Sequence, residues 1–141
     1  MEHPMMAKAV KGIVAIGMLH DGEEYVFPDD AASRMYYAFY HACWAFLESR
    51  TPPVPFDEHP DYEGEPNSYA HNKLEEKLLR FLDFAAAAGD DWRAILSTAL
   101  RNRIQADYRP DPVASFKVER VAGKVRHAIN RLDGFLKGQR L

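Results

Sequence analysis

Between Pro28 and Arg50 the chain reads PDDAASRMYYAFYHACWAFLESR, which is apolar almost all the way round a helix. Tyr36, Tyr40, Trp44 and Leu47 recur at helical spacing as one stripe, and Phe39, Cys43 and Phe46 form a second. A helix that is apolar on several sides belongs at the centre of a bundle, with other helices packed around it. Pro28 sets the first turn, and Asp29 and Asp30 provide an acidic cap at the positive end of the helix dipole. Tyr37 and His41 share a face four residues apart. His41 reads either as a hydrogen-bonded core histidine or as one wall of a cleft.

Further helical patterns surround this one. Met5 to Leu19 places Met6, Val10, Ile13, Val14 and Gly17 near one face, although Val14 and Ile16 leave a strand open. His20-Asp21-Gly22 is a turn signal, and Tyr25, Val26 and Phe27 are positioned to anchor the connection that follows. Asn67 or Ser68 caps a helix from about Tyr69 to Ala87, with Leu74, Leu78, Phe81 and Leu82 as its buried stripe and His71 in its first turn. Gly89 ends that helix and Asp90 caps the next, whose apolar face is Trp92, Ile95, Leu96 and Ala99. Pro112 begins the last helix, with Val118, Val121, Val125, Ile129, Leu132 and Leu136 on one stripe. The expected fold is an all-α antiparallel bundle of four or five helices. At 141 residues the chain is expected to form one domain, residues 1–141.

The segment from about 51 to 68 interrupts the pattern. Pro52, Pro53, Pro55, Pro60 and Pro66 exclude a regular helix, and Asp57, Glu58, Asp61, Glu63 and Glu65 make it acidic. A loop of this length is a lid, an interaction surface or a plain insertion. His59 among the carboxylates has no partner at metal-ligand spacing, so no metal site is expected. No glycine-rich phosphate loop, zinc spacing or nucleophile elbow occurs, and no cofactor is implied. No apolar run is long enough to span a bilayer, and no signal peptide is evident, so the expected setting is cytoplasmic. The single cysteine, Cys43, lies in the apolar helix and reads as a packed thiol.

Charge is unevenly distributed. Residues 1–108 carry 10 Lys and Arg against 18 Asp and Glu, whereas residues 109–141 carry 8 against 3. On the last helix Lys117, Arg120, Lys124, His127 and Arg131 form a basic stripe. It is either a solvated face or a track for nucleic-acid phosphates, and no aromatic residues interleave with it to stack on single-stranded bases.

The unusual polar residues close the helix that begins near Trp92, in LRNRIQADY, residues 100–108. Continuing the apolar spacing brings Arg103 onto the buried face, with Ala106 and Asp107 flanking it, Asn102 and Tyr108 at the sides and Arg101 opposite. Pro110 and Pro112 stop the helix, so the cluster lies at a helix C-terminus, where cations are favoured. Arg103 and Asp107, four apart, are either a structural ion pair or part of a polar site for a phosphate-bearing partner. Arginine suits phosphate because its planar fork binds two oxygens at once.

Two stretches together resemble the HEPN family, the higher-eukaryote and prokaryote nucleotide-binding domains. SRMYYAFYHACWAFL, residues 33–47, is similar to the family's tyrosine-rich helix. RNRIQADY, residues 101–108, is similar to the late-helix motif of a small prokaryotic branch ending in R-x-x-ADY. His71, opening the helix between them, matches a histidine frequent in that branch. The resemblance covers about residues 30–136. It implies a helical bundle that dimerises, with the late-helix motifs of two subunits facing one cleft. Many members are metal-independent ribonucleases of toxin–antitoxin or anti-phage defence systems. Others are non-catalytic partners of a nucleotidyltransferase-like protein.

In the family's ribonuclease motif an arginine and a polar residue are followed by a histidine four to six positions after the arginine, often with a tyrosine two beyond it. Arg101, Asn102 and Tyr108 fit that frame, but Ala106 stands where the histidine belongs. Starting the frame at Arg103 gives no histidine either. RNA cleavage by its own 2′-hydroxyl needs a proton acceptor, a donor and charge stabilisation. Arginine supplies only the last. The resemblance therefore implies a homodimer that engages RNA or a nucleotide through Arg101, Asn102, Arg103, Asp107 and Tyr108, with weak, absent or non-standard ribonuclease activity. His71 and His41 are the histidines that can substitute if the fold brings them to Arg103. The competing expectation is a protein-binding module, such as the partner of a nucleotidyltransferase-like antitoxin.

Overall fold

The computed structural model describes residues 2–18, 20–21, 24–25, 27–57, 68–81 and 92–138. Among these residues five helices make up the bundle: α1 (Pro4–Met18), α2 (Pro28–Glu48), α3 (His71–Phe81), α4 (Trp92–Tyr108) and α5 (Ser115–Leu136). Between α1 and α2 a two-residue antiparallel ladder, β1 (His20–Asp21) and β2 (Glu24–Tyr25), pairs His20 with Tyr25 and Asp21 with Glu24. The bundle is all-α, as the sequence predicts. No described helix is long and apolar enough to cross a membrane.

Helix α2 packs against all four other helices. Its buried residues include Tyr36, Phe39, Tyr40, Cys43, Phe46 and Leu47, which is the two-stripe pattern read from the sequence. Burial pushes the Cys43 thiol far up, so it packs as an inert apolar group. The start of α2 differs from expectation. Its N-cap is Phe27, with no side-chain cap, and Asp29 instead accepts the Val113 N–H on Oδ1 at 2.7 Å. The carboxylate thus fixes the α4–α5 connection to the base of α2. Consequently α5 starts at Ser115 rather than Pro112, because Val113 is buried before the helix begins. Phe27 is 58% exposed, contrary to the sequence reading of an anchor, and Val26 lies outside the described residues.

Helix α1 presents a different face from the one its valines indicate. Met6, Ala9 and Ile16 are buried, while Val10 and Val14 are exposed. The reason is Gly12, where an added Cβ would meet the Ala38 Cβ at 3.2 Å. The close crossing of α1 on α2 occurs there and turns the 9–12–16 face inward. At the other end of α1, His3 Nδ1 accepts the Met5 N–H at 3.0 Å and its Nε2 lies 2.8 Å from Glu48 Oε1. The first bond assigns the ring proton to Nε2, which donates to Glu48. Trp44 Nε1 donates to the other carboxylate oxygen at 3.1 Å. The start of α1 is therefore tied to the end of α2, and the two run antiparallel.

The base of the acidic segment is built into the core, while residues 58–67 lie outside the described residues. Val54 and Tyr69 are buried, and the Tyr69 hydroxyl donates to the Val54 carbonyl at 2.7 Å. Asp57 is buried too. It pairs with Ser68 in an isolated bridge, accepts the Ala70 N–H on Oδ2 at 2.8 Å, and meets Lys77 Nζ through Oδ1 at 2.7 Å. Helix α3 therefore starts at His71, two residues later than expected, and Ser68 is a bridge residue rather than its cap. The carboxylate beside its first turn comes from Asp57, across the loop. The expected continuation of α3 to Ala87, with Leu82, Gly89 and Asp90, falls outside the described residues.

Candidate functional site

Arg103 reaches from α4 to the middle of α2. Its Nε donates to Asp107 Oδ2 at 2.9 Å, and its Nη2 donates to the Tyr37 hydroxyl at 2.8 Å. The guanidinium carbon lies 5.7, 5.2 and 5.5 Å from the ring centres of Tyr36, Tyr37 and Tyr108. Only 16% of the Arg103 side chain is exposed. Burial pulls its pKa down, but Tyr37, Tyr108 and Asp107 outweigh this and hold it above the ordinary arginine value. The group is permanently cationic and fixed in orientation.

His71 approaches the same tyrosines from the start of α3. Its Nδ1 lies 2.6 Å from the Tyr36 hydroxyl, and its ring stacks on Tyr40 at 4.2 Å between centres. Tyr40 is fixed in turn, since its hydroxyl donates to the Tyr69 carbonyl at 2.7 Å. Burial pushes the Tyr36 hydroxyl far up and that of Tyr40 to about 12, so both stay protonated. Among the described residues Nδ1 is the acceptor available to the buried Tyr36 O–H. Tyr36 therefore donates, which assigns the imidazole proton of a neutral His71 to Nε2. Tyr36 and Tyr37 meet edge to face at 5.5 Å and carry the link between His71 and Arg103.

The structure thus brings together Arg103, Asp107, Tyr108, Tyr37 and His71. His41 lies beside Tyr37, at 6.3 Å between ring centres. It is half-buried, and desolvation, Lys8 and His71 lower its pKa. It therefore reads as a cleft-lining histidine that is neutral near pH 7. The residue missing from the sequence-derived site is Tyr36. It looked like one more member of a core stripe, and nothing local announces a bond to a residue 35 positions away.

Other expected members are elsewhere. Asn102, not Arg103, continues the buried face of α4, at 5% exposure, and its Nδ2 has no hydrogen-bond partner among the described residues. Arg103 lies at the rim of that face. Arg101 points outward and lines a separate shallow depression with Ile104, Gln105 and Arg109. Ala106, in the motif-histidine position, is partly buried against the core. Lys117, Arg120 and Lys124 are exposed on α5, whereas Arg131 is half-buried. Aromatic rings flank this stripe at its two ends, although none interleaves with it. The Arg120 guanidinium is 5.5 Å from the ring centre of Phe116, itself 58% exposed, and that of Arg131 is 5.9 Å from Phe135. The contacts of Arg103 run to α2 and within α4, not to this stripe.

In chemical terms the cluster offers a fixed cation, a neutral imidazole donor and phenol hydroxyls. The Asp107 carboxylate is paired with Arg103, so the neutral His41 beside Tyr37 is the histidine placed to accept a proton. Among the described residues no group of three His, Cys, Asp or Glu is placed to hold a metal ion. The class that fold and cluster define is an all-α bundle with an arginine–tyrosine–histidine polar site. Compared with family models, curated proteins and solved structures, the chain matches none of them.

Proposed function

We propose that this is an HEPN-like RNA-engaging protein of the toxin–antitoxin or anti-phage defence type, acting as a homodimer in the cytoplasm. Arg103 takes a backbone phosphate, Asp107 orients it, Tyr108 hydrogen-bonds the substrate, and His71 donates through Nε2. Ribonuclease activity is at most weak and non-standard. The observation that carries this reading is the convergence of Arg103 and His71 on one tyrosine pair, through bonds of 2.8 and 2.6 Å. Arg103 supplies charge stabilisation and His71 Nε2–H a hydrogen-bond donor, whereas a neutral imidazole N–H is too weak an acid to protonate a leaving group.

Replacing Arg103 tests the reading. A charge-assisted phosphate contact contributes about 1.5–3 kcal/mol, so Arg103→Ala is expected to weaken single-stranded RNA binding roughly 10- to 100-fold. Fluorescence anisotropy measures this, with circular dichroism checking that the variant is folded. Any cleavage of cellular RNA in EDTA should disappear in both Arg103→Ala and His71→Ala. Vigorous cleavage by the wild type, or cleavage indifferent to Arg103, would overturn the assignment.

One observation favours a second reading, a non-catalytic module that docks on a nucleotidyltransferase-like protein. Arg103 already donates to two partners and is sheathed by three rings, as a purely structural arginine would be. Under that reading Arg103→Ala lowers stability and leaves RNA binding unchanged.

A further inference from the structure

Tyr37 also lines a concave site separate from the Arg103 contacts. It is a cleft of about 200 Å³ between α1 and α2, lined by Lys8, Gly12, Ser33, Arg34, Tyr37, Ala38 and His41. Its floor is the close crossing of Gly12 on Ala38. Lys8 and Arg34 are both exposed at its edge, and neither takes part in an ion pair among the described residues. No carboxylate lines the cleft among the described residues. Two cations, the Ser33 hydroxyl, the Tyr37 side chain and the His41 imidazole therefore surround a small space with an apolar floor.

We infer that this cleft is a phosphodiester subsite, taking a backbone phosphate of the same single-stranded RNA that Arg103 engages. The inference rests on the reading above for the identity of the RNA but on separate residues for the contact. A planar guanidinium and a point-charge ammonium on one anion are the donor set that phosphate favours. The volume is below that of a pocket for a whole drug-sized ligand and suits one sugar–phosphate unit, with the ribose against Gly12 and Ala38. His41 is held neutral by burial and by Lys8, so it adds a donor rather than a third charge. Tyr37 joins the two sites: its ring lines the cleft while its hydroxyl accepts from Arg103. A flexible strand that follows Tyr37 meets both in succession, which a stiff duplex does not do in so narrow a space.

The test uses the full chain and a fluorescein-labelled oligouridylate, with anisotropy measured across a salt series. Three variants are compared: Lys8→Ala with Arg34→Ala, Arg103→Ala, and Arg93→Ala with Lys137→Ala as a charge-matched pair. Every residue of the two charge-matched doubles is exposed, so the fold is not at risk. The Lys8/Arg34 double should weaken binding at least about tenfold and reduce the slope of log K against log salt by about 0.7, the value of one single-strand phosphate contact. An unchanged slope and affinity would overturn the subsite, as would a loss no greater than that of the Arg93/Lys137 pair. A loss in the Lys8/Arg34 double with Arg103→Ala binding like wild type would keep the cleft and discard the Arg103 site. The reverse pattern would discard the cleft alone, and failure of the wild type to bind would overturn both.

Discussion

Asp57→Ala is expected to destabilise the protein by about 3 kcal/mol, because it removes one partner of a largely buried ion pair and strands the other. The Asp57 side chain is 6% exposed and that of Lys77 is 20%. The same carboxylate accepts the Ala70 N–H, so its loss also frees a backbone donor at the start of α3. Asp57→Asn keeps a carbonyl for Ala70 but not the charge, and should cost about half as much. Urea unfolding measures both. The pH dependence has a definite sign. Burial pushes the Asp57 carboxyl up, but the Lys77 and Ala70 hydrogen bonds outweigh it, so the folded-state pKa lies below the ordinary 3.8. Ionised Asp57 therefore stabilises the fold fully above about pH 4, and this contribution fades as the pH falls through the depressed value. Asp57→Asn should flatten that acid limb. The effect reaches the functional site, because Asp57 fixes the turn from which His71 projects.

The other large effect is expected at Tyr36. Tyr36→Ala empties a fully buried aromatic position at the centre of the bundle and should cost about 3–5 kcal/mol. It also removes the ring between Arg103 and His71. Tyr36→Phe separates the two roles. It keeps the ring and its packing, loses only the hydroxyl, and should cost about 1 kcal/mol because His71 Nδ1 loses its donor. A Phe variant as unstable as the Ala variant would show that the hydroxyl, not the ring, holds this part of the core. Thermal unfolding of the two variants side by side decides the matter.

These residues show where sequence is informative and where it stops. The central place of α2 was legible because its two apolar stripes leave few polar sides. The Arg103–Asp107 pair was legible from its i, i+4 spacing and from a cation set against an apolar face. The inward face of α1 was not. Val10 and Val14 outweigh Gly12 in any apolar count, yet the close approach of Ala38 decides which side turns in. The role of Asp57 was hidden for a related reason. In sequence it is one acid among several in a proline-rich segment, and only the fold supplies Lys77 and Ala70. Asn102 and Arg103 exchanged places because one residue step is about 100° on a helix, so the end of an apolar stripe is poorly placed by spacing alone. The Tyr36–His71 bond joins α2 to α3 across the acidic segment and has no local signature at all.

The most direct test of the arginine–tyrosine–histidine site is nitrogen-15 magnetic resonance of the His71 ring during titration with single-stranded RNA. The free protein should show the proton on Nε2, with Nδ1 accepting from Tyr36. RNA should then shift the His71 resonances in the wild type and leave them in place in folded Arg103→Ala at the same concentrations. RNA that binds without moving His71, or that moves it equally in both proteins, would contradict a shared site for Arg103 and His71.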